Sequence, residues 1–298
     1  MKQPDLAAIP DALRAPLLAC ASREVAPNLA LMHLCMAATD AAAVEHAVTA
    51  AGGAGGLTEL AALWKARPQV FTLVKTVLAT DRHDAAAANP DALLAACAAT
   101  FDAAVALSAE ASVALFSLGD PALLAAATDE IVAAMHGWGL LSPEATALEI
   151  GCGNGRFLKA LAPSLGRIIG IDISAAMIGA ARRECAGLRN VEVHRTGGGD
   201  LAVCPDESVD LVLAVDSFPY IVRCGPELVQ RHFAEAARVL KPSGHLAIFN
   251  YSYRGDLPAD QVEVAAHASR VGFGVLRSAT RDFRLWDGAT YVLKRTQP

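Results

Sequence analysis

Three alternating glycines, Gly151, Gly153 and Gly155, follow the apolar run Ala147-Leu-Glu-Ile150 and lead into an amphipathic stretch beginning at Arg156. Glycine lets such a loop bend through unusual φ values and lets a ligand touch backbone where a Cβ would intrude. Glu149, two residues before the first glycine, narrows the choice of ligand. A pyrophosphate wants backbone N–H groups and a helix N-terminus with no carboxylate nearby. At ~6 Å and an effective dielectric of about 20, each like-charge pair costs roughly 3 kcal/mol. A cationic ligand has the opposite preference. A dinucleotide fingerprint would also place Gly or Ala where this chain has Arg156. Asp172 closes the next apolar run, Ile168-Ile-Gly-Ile-Asp172, and can accept hydrogen bonds from both hydroxyls of a ribose. Ser174 reads as the N-cap of the following helix. Met177, in that helix's first turn, can pack on a base or on the sheet.

A second group of residues suits a substrate. Ligands of open α/β sheets bind at the carboxyl ends of the strands. The fourth and fifth apolar runs of this half end in Ala214-Val-Asp-Ser-Phe-Pro-Tyr220 and Phe249-Asn-Tyr-Ser-Tyr-Arg254. Asp216, Tyr220 and Tyr251 are therefore the candidate catalytic residues, with Tyr253 beside them and Arg254 able to bind a carboxylate or phosphate. Asp216 or His136 can serve as a base. A well-packed turn and a solvated polar loop are the plain alternatives for these two segments. Trp286 reads as core, and the other histidines are scattered.

The elements around these residues divide the 298-residue chain in two. Up to about Ser117 the apolar spacing is helical throughout, broken by the glycine cluster at 51–56 and by Asn89-Pro90. Asp120-Pro121 starts a helix that Gly137-Trp-Gly139 closes. Beyond Thr146, short apolar runs at 146–150, 167–171, 191–195, 209–215 and 244–251 alternate with amphipathic stretches at 155–164, 174–186, 226–240 and 259–271. Late strands fall near 274–283 and 289–295. Such alternation predicts an α/β, Rossmann-like, doubly wound parallel sheet, here preceded by an all-α domain. The predicted division is a helical domain over 1–117 and a ligand-binding domain over 118–298.

Composition bounds the function. The formal charge is −6 with no basic stripe, which argues against nucleic acid. The seven cysteines show no paired spacing, so neither a zinc site nor a disulfide framework is expected, and scattered thiols suggest a cytoplasmic protein. No uncharged apolar run approaches the length of a membrane span, and the N-terminus does not read as a secretory signal. No metal is expected.

Four segments, LEIGCGNGR, GIDISAAMI, PDESVDLVLAVDSF and VLKPSGHLAIFNY, together resemble class I S-adenosylmethionine (SAM)-dependent methyltransferases in order and spacing. The resemblance covers about 120–298. It implies a seven-stranded sheet with the last strand antiparallel, SAM as cofactor, and methyl transfer to O, N or C of a small molecule with release of S-adenosylhomocysteine. It assigns Glu149, Gly151, Gly153 and Gly155 to the methionyl part and Asp172, with Ile173 beside it, to the ribose. The family commonly has an acid after the third strand for adenine. Here Gly197 stands in that place, so Asp200 and the backbone of Leu201 are the substitutes. A NAD-dependent oxidoreductase and a non-catalytic SAM-binding or scaffolding protein are the alternative functions. The helical half reads as a lid, a homodimer surface or a partner-binding module, with Phe116–Asp120 as the lid segment.

Overall fold

The computed structural model describes residues 6, 9–53, 55–80 and 89–296. All seven expected strands form, and they join one sheet. They are β1 (Thr146–Ile150), β2 (Arg167–Asp172), β3 (Val191–Arg195), β4 (Val209–Val215), β5 (Leu240–Phe249), β6 (Phe273–Thr280) and β7 (Thr290–Arg295). Their order is β3-β2-β1-β4-β5-β7-β6. Strands β1 to β5 pair in parallel, whereas β7 runs antiparallel to both neighbours. The short link over 281–289 allows β7 only a hairpin return, while the parallel pairs are each joined through longer crossovers.

The helices of this half are α9 (Arg156–Leu161), α10 (Ala175–Glu184), α11 (Phe218–Arg223), α12 (Pro226–Val239) and α13 (Leu257–Arg270). Helix α12 shows why they pack: Leu228, Val229, Phe233, Ala236 and Val239 recur on one face and are all buried. Several boundaries differ from the sequence reading, most clearly both ends of β5. Strand β5 begins at Leu240, because Leu240 pairs with Val209 before the register shifts to His245 with Leu211. Residues 241–244 bulge out between these pairs, which accommodates Pro242. The strand ends at Phe249 because Asn250 takes φ 73°, outside the extended region. Helix α11 forms where the sequence suggested only a turn, with Pro219 in its first turn where no N–H is needed.

The preceding helices are α1 (Asp11–Ala21), α2 (Pro27–Ala37), α3 (Ala41–Ala51), α4 (Gly56–Ala66), α5 (Val70–Ala79), α6 (Pro90–Leu107), α7 (Ala109–Val113) and α8 (Pro121–Gly137). By packing, the described residues up to 80, 104–130 and 283–287 form one unit, and 89–103, 131–282 and 288–296 form the other. In the helical unit α2 is the central element. Leu29, Ala30, Leu31, Met32, Leu34 and Cys35 are buried around its whole circumference, against α1, α4 and α5. Asn28 on the same helix donates to the carbonyls of Phe116 and Leu285, at 3.2 and 3.0 Å. Among the described residues, α6 is the helix long and apolar enough by composition to cross a membrane. It carries Asp91 and Asp102, and Asp102 caps another helix of the sheet unit, as described below.

The core of the sheet unit joins Leu148, Ile169, Ile171, Val212 and Ile248 to Phe218, Phe233 and Tyr251. Gly170 on β2 lets α9 close on the strand, since a Cβ there would lie 2.5 Å from Leu158 Cδ1 and 2.9 Å from Cys152 Cβ. Gly170→Ala should therefore destabilise the protein by about 1–3 kcal/mol through overpacking, read as a lower melting temperature. An unchanged melting temperature would mean that α9 shifts without cost.

Candidate active site

The strand order reverses between β1 and β4, and their carboxyl ends open on the crevice where ligands of such sheets bind. The glycine loop leaves β1 at this point. The amides of Gly151 and Cys152 both donate to the Ile171 carbonyl, at 2.8 and 2.9 Å, which folds the loop back onto β2. Gly151 has φ 70°, and a Cβ on it would lie 2.4 Å from Ser217 Cβ. Ser217 is held there by its own hydrogen bond to the Ile150 carbonyl at 2.6 Å. Gly155 has φ 86° and caps α9, with the Cα of Ala181 only 3.0 Å from where a Cβ would stand. Glycine is required at both positions by conformation and by space.

Two carboxylates are buried beneath this loop. Asp172 accepts from the Gly153 amide at 2.9 Å and from the Ser174 amide at 2.8 Å, tying the loop to the start of α10. Burial raises its pKa from the ordinary value, and these backbone donors counter the rise. Glu149 is 2 % exposed, and its Oε2 has no hydrogen-bond partner. Burial pushes its pKa up to about 8 despite the opposing pull of Arg156. Arg156 lies with its guanidinium 4.4 Å from the Phe157 ring centroid. Burial lowers the pKa of Arg156, while the Asp216 and Glu149 carboxylates act to raise it. The Arg156 guanidinium thus lies within the electrostatic reach of two carboxyl groups, those of Glu149 and Asp216.

At the ends of β4 and β5, Asp216 and Asn250 both adopt left-handed backbone, with φ 53° and 73°. Their backbone amides are taken by the Phe249 and Ala289 carbonyls, at 2.9 and 2.8 Å. Asn250 Nδ2 donates to Asp216 Oδ1 at 3.1 Å, linking the two strand ends. Non-glycine residues held in this region cluster at functional sites because the surrounding structure must compensate their strain. Tyr220 on α11 lies nearby. Burial, then the Asp216 carboxylate, pushes its pKa up to about 12. Its ring meets Tyr253 edge-on at 5.8 Å and Phe101 of α6 at 4.8 Å.

Asp216, Tyr220 and Tyr253 are therefore brought together, with Tyr253 55 % exposed at the rim. Tyr251 is not with them. It is fully buried, stacked on Phe218 at 5.6 Å and edge-on to Tyr291 at 6.1 Å. The left-handed Asn250 interrupts the strand's alternation, and Tyr251 follows it into the core instead of the crevice. Arg254 is also committed elsewhere: it binds Asp260 at 2.5 Å and pairs with Glu263. His136 bonds Ser164 at 2.9 Å, close to the start of β2 and thus at the opposite end of the strands from the crevice. The Leu201 amide donates to Glu235 at 3.0 Å, so it is not available for a base, and Asp200 is exposed and accepts from the Ala202 amide. Met177 is buried in the face of α10. Phe116, Ser117 and Leu118 pack inside the helical unit, where Asn28 holds the Phe116 carbonyl.

Residues 94–102 of α6 lie on the strand ends instead. Leu94 and Ile173 close on Gly198 from either side, at 3.1 and 2.7 Å from its Cβ position. Asp102 Oδ1 accepts from Ser174 Oγ at 2.5 Å and from the Ala176 amide at 2.9 Å. Nothing in the sequence spacing marks these residues, because the contacts span more than seventy positions. The left-handed Asp216 and Asn250 are of residue types that tolerate αL, a weak signal at most.

The buried Glu149 sets a pH dependence. Its folded pKa of about 8 lies above its ordinary 4.5, so its contribution to stability is full below about 4.5 and is lost as pH rises through 8. Glu149→Gln should remove this dependence. Between pH 5 and 8 the wild type should lose stability relative to the variant by up to about 1.4 kcal/mol per pH unit, measured by denaturant unfolding. Parallel profiles would show that Glu149 is ionised throughout.

Residues 148–248 match the methyltransferase domain family. A demethylmenaquinone methyltransferase of Tropheryma whipplei is 34% identical over 106 residues, covering 36% of this chain and 41% of that protein. A probable S-adenosylmethionine-dependent methyltransferase of Saccharomyces cerevisiae is 29% identical over 107 residues, 35% of each chain. The chain thus spans about two fifths or less of the length of these curated relatives. Among solved structures, a SAM-dependent methyltransferase from Aquifex aeolicus is 25% identical, covering 59% of this chain and 92% of that one, with a TM-score of 0.45. A Haemonchus contortus phosphoethanolamine N-methyltransferase, in complex with phosphoethanolamine and S-adenosylhomocysteine, shares the fold at 14% identity. It covers 70% of this chain and 49% of that one, with a TM-score of 0.54.

Proposed function

With a class I SAM-dependent methyltransferase domain in the C-terminal half of the chain as premise, we propose that the protein methylates O, N or C of a small molecule and releases S-adenosylhomocysteine. The observation that carries this reading is the buried, unpartnered Oε2 of Glu149 behind the glycine loop. A buried acceptor atom without a donor costs about 1–3 kcal/mol, and the ammonium end of SAM supplies the missing donor. A pyrophosphate in the same place meets repulsion from Glu149 and Asp172 instead. The glycine cradle provides the space, and Asp172 the acceptor for the ribose hydroxyls. Leu94, Ile173 and Gly198 form apolar walls suited to adenine, in place of the acid the family commonly uses.

Bound there, SAM supplies a methyl group on a sulfonium, which leaves as a neutral thioether. The chain's residues align the acceptor with that carbon and keep water away. Asp216, oriented by Asn250 and Arg156, accepts the proton of a hydroxyl or amine acceptor. Tyr220 and Phe101 present aromatic edges and faces suited to a planar or partly apolar acceptor. The names of two relatives, which refer to demethylmenaquinone and phosphoethanolamine, support a small molecule as the acceptor class. Along the sequence the reading keeps a helical domain over 1–117 and a methyltransferase domain over 118–298, although by packing residues 89–103 go with the sheet and 104–130 and 283–287 with the helices. A homodimer through the N-terminal helices belongs to the same reading.

Calorimetry with S-adenosylhomocysteine should show binding, and NAD should show none. Asp172→Ala should weaken that binding about 10- to 150-fold, the loss of roughly 1.5–3 kcal/mol from charge-assisted hydrogen bonds. Binding of NAD alone would overturn the reading. An unchanged affinity in the variant would leave Asp172 as a structural link between the loop and α10.

Asp216→Asn keeps the shape and removes the base. Turnover on a hydroxyl or amine acceptor found by screening should fall about 10²- to 10⁴-fold, with S-adenosylhomocysteine affinity unchanged. A parallel loss of affinity would place Asp216 on the cofactor instead.

A further inference from the structure

Two buried thiols close to the crevice take no part in the chemistry described. Cys97 lies on α6 and Cys224 at the C-cap of α11, and they are 2 % and 3 % exposed. The crossing of these two helices has a definite register. Phe101 of α6 meets Tyr220 of α11 with ring centroids 4.8 Å apart. Cys97 lies four residues before Phe101, and Cys224 lies four residues after Tyr220. One helical turn rises about 5.4 Å, so each thiol lies about one turn from the ring on its own helix. Both cysteines belong to the same core cluster, and their thiols are hydrogen-bonded to each other.

What α6 does at this place gives the pair its meaning. The same helix puts Leu94 against Gly198, Phe101 against Tyr220, and Asp102 on the first turn of α10 next to Asp172. These contacts extend from the adenosine side of the crevice to the acceptor side. A ligand bound at the strand ends, as read above, lies against this helix. We propose that Cys97 and Cys224 are a redox latch: a dithiol that leaves α6 free to open, and a disulfide that locks it over the strand ends. The latch's effect on the cofactor rests on the SAM-site reading above; the existence of the disulfide does not.

The co-reactant is a low-molecular-weight disulfide. Cys224 is the attacking sulfur, since the Cys97 thiol donates to it and Arg223 lies close, both favouring its thiolate. It attacks one sulfur of the small disulfide and releases one small thiol. Cys97 then attacks Cys224 in the mixed disulfide and releases the second. The protein loses two electrons and two protons, and the small disulfide gains both. Because the pair is buried, the first attack occurs when α6 opens, so oxidation records that opening.

The test treats the full-length protein with oxidised glutathione and maps disulfides by mass spectrometry. Amide hydrogen exchange of residues 90–103 and the dissociation rate of S-adenosylhomocysteine are then followed. The expected result is a Cys97–Cys224 link that forms in the wild type and in neither Cys97→Ser nor Cys224→Ser. Exchange in 90–103 should slow in the oxidised wild type, and ligand dissociation should slow by about tenfold or more, as for a lid whose opening limits release. Failure of the two cysteines to link, or linkage without slower exchange in 90–103, overturns the latch. Reduced protein that does not bind S-adenosylhomocysteine counts against the cofactor reading, while the linkage and exchange measurements still decide the latch.

Discussion

The hold of β2 on the glycine loop is the constraint on which the rest of the site depends. One carbonyl, that of Ile171, accepts two consecutive loop amides, and the next residue, Asp172, takes a third through its side chain. The loop consequently cannot follow β1 straight into α9. It turns back across the sheet, and that turn forces Gly151 and Gly155 into positive φ and brings Ser217 of the neighbouring strand end into contact. A Cβ at either glycine would break the arrangement at its tightest points. Because Asp172 also accepts the Ser174 amide, the loop and the start of α10 are tied to each other through one carboxylate.

Burying two carboxylates under such a loop is expensive, and the structure offsets the cost unevenly. Asp172 receives backbone donors, the arrangement that best stabilises a buried acid. Glu149 receives only the field of Arg156 and leaves one oxygen bare. The imbalance fits a site whose last partner is a ligand. Arg156 also lies within the electrostatic reach of Asp216, where strand β4 ends. Asp216 and Asn250, both in strained backbone and joined by a hydrogen bond, hold the two strand ends in register on the acceptor side. Glu149, Arg156, Asp216 and Asn250 are therefore linked electrostatically and by hydrogen bonding from the glycine loop to the end of β5.

Helix α6 completes the enclosure from a part of the chain that the methyltransferase family match does not reach. Its residues 94–102 bring an apolar wall, an aromatic ring, a cap for α10 and a thiol to the strand ends. An alanine-rich helix is suited to this, because small side chains let it lie close to the sheet while a few larger residues make the specific contacts.

The alternation of short apolar runs with amphipathic stretches, the three glycines and the acids Glu149 and Asp172 were enough to determine the sheet, the loop and the class of ligand. Those signals are local: a period of two or of 3.6 residues, or a turn that only glycine can make, is written in neighbouring positions. The fates of Tyr251, Arg254 and the Leu201 amide were decided by tertiary structure alone. A left-handed Asn250 turned Tyr251 into the core, Asp260 and Glu263 drew Arg254 away, and Glu235 occupied the amide expected to meet adenine. The same holds for α6, whose contacts with Ser174, Gly198 and Tyr220 join residues that the fold brings together from distant positions. Which polar group faces a crevice depends on what its competitors for hydrogen bonds and space are, and those competitors are neighbours only after the chain has folded.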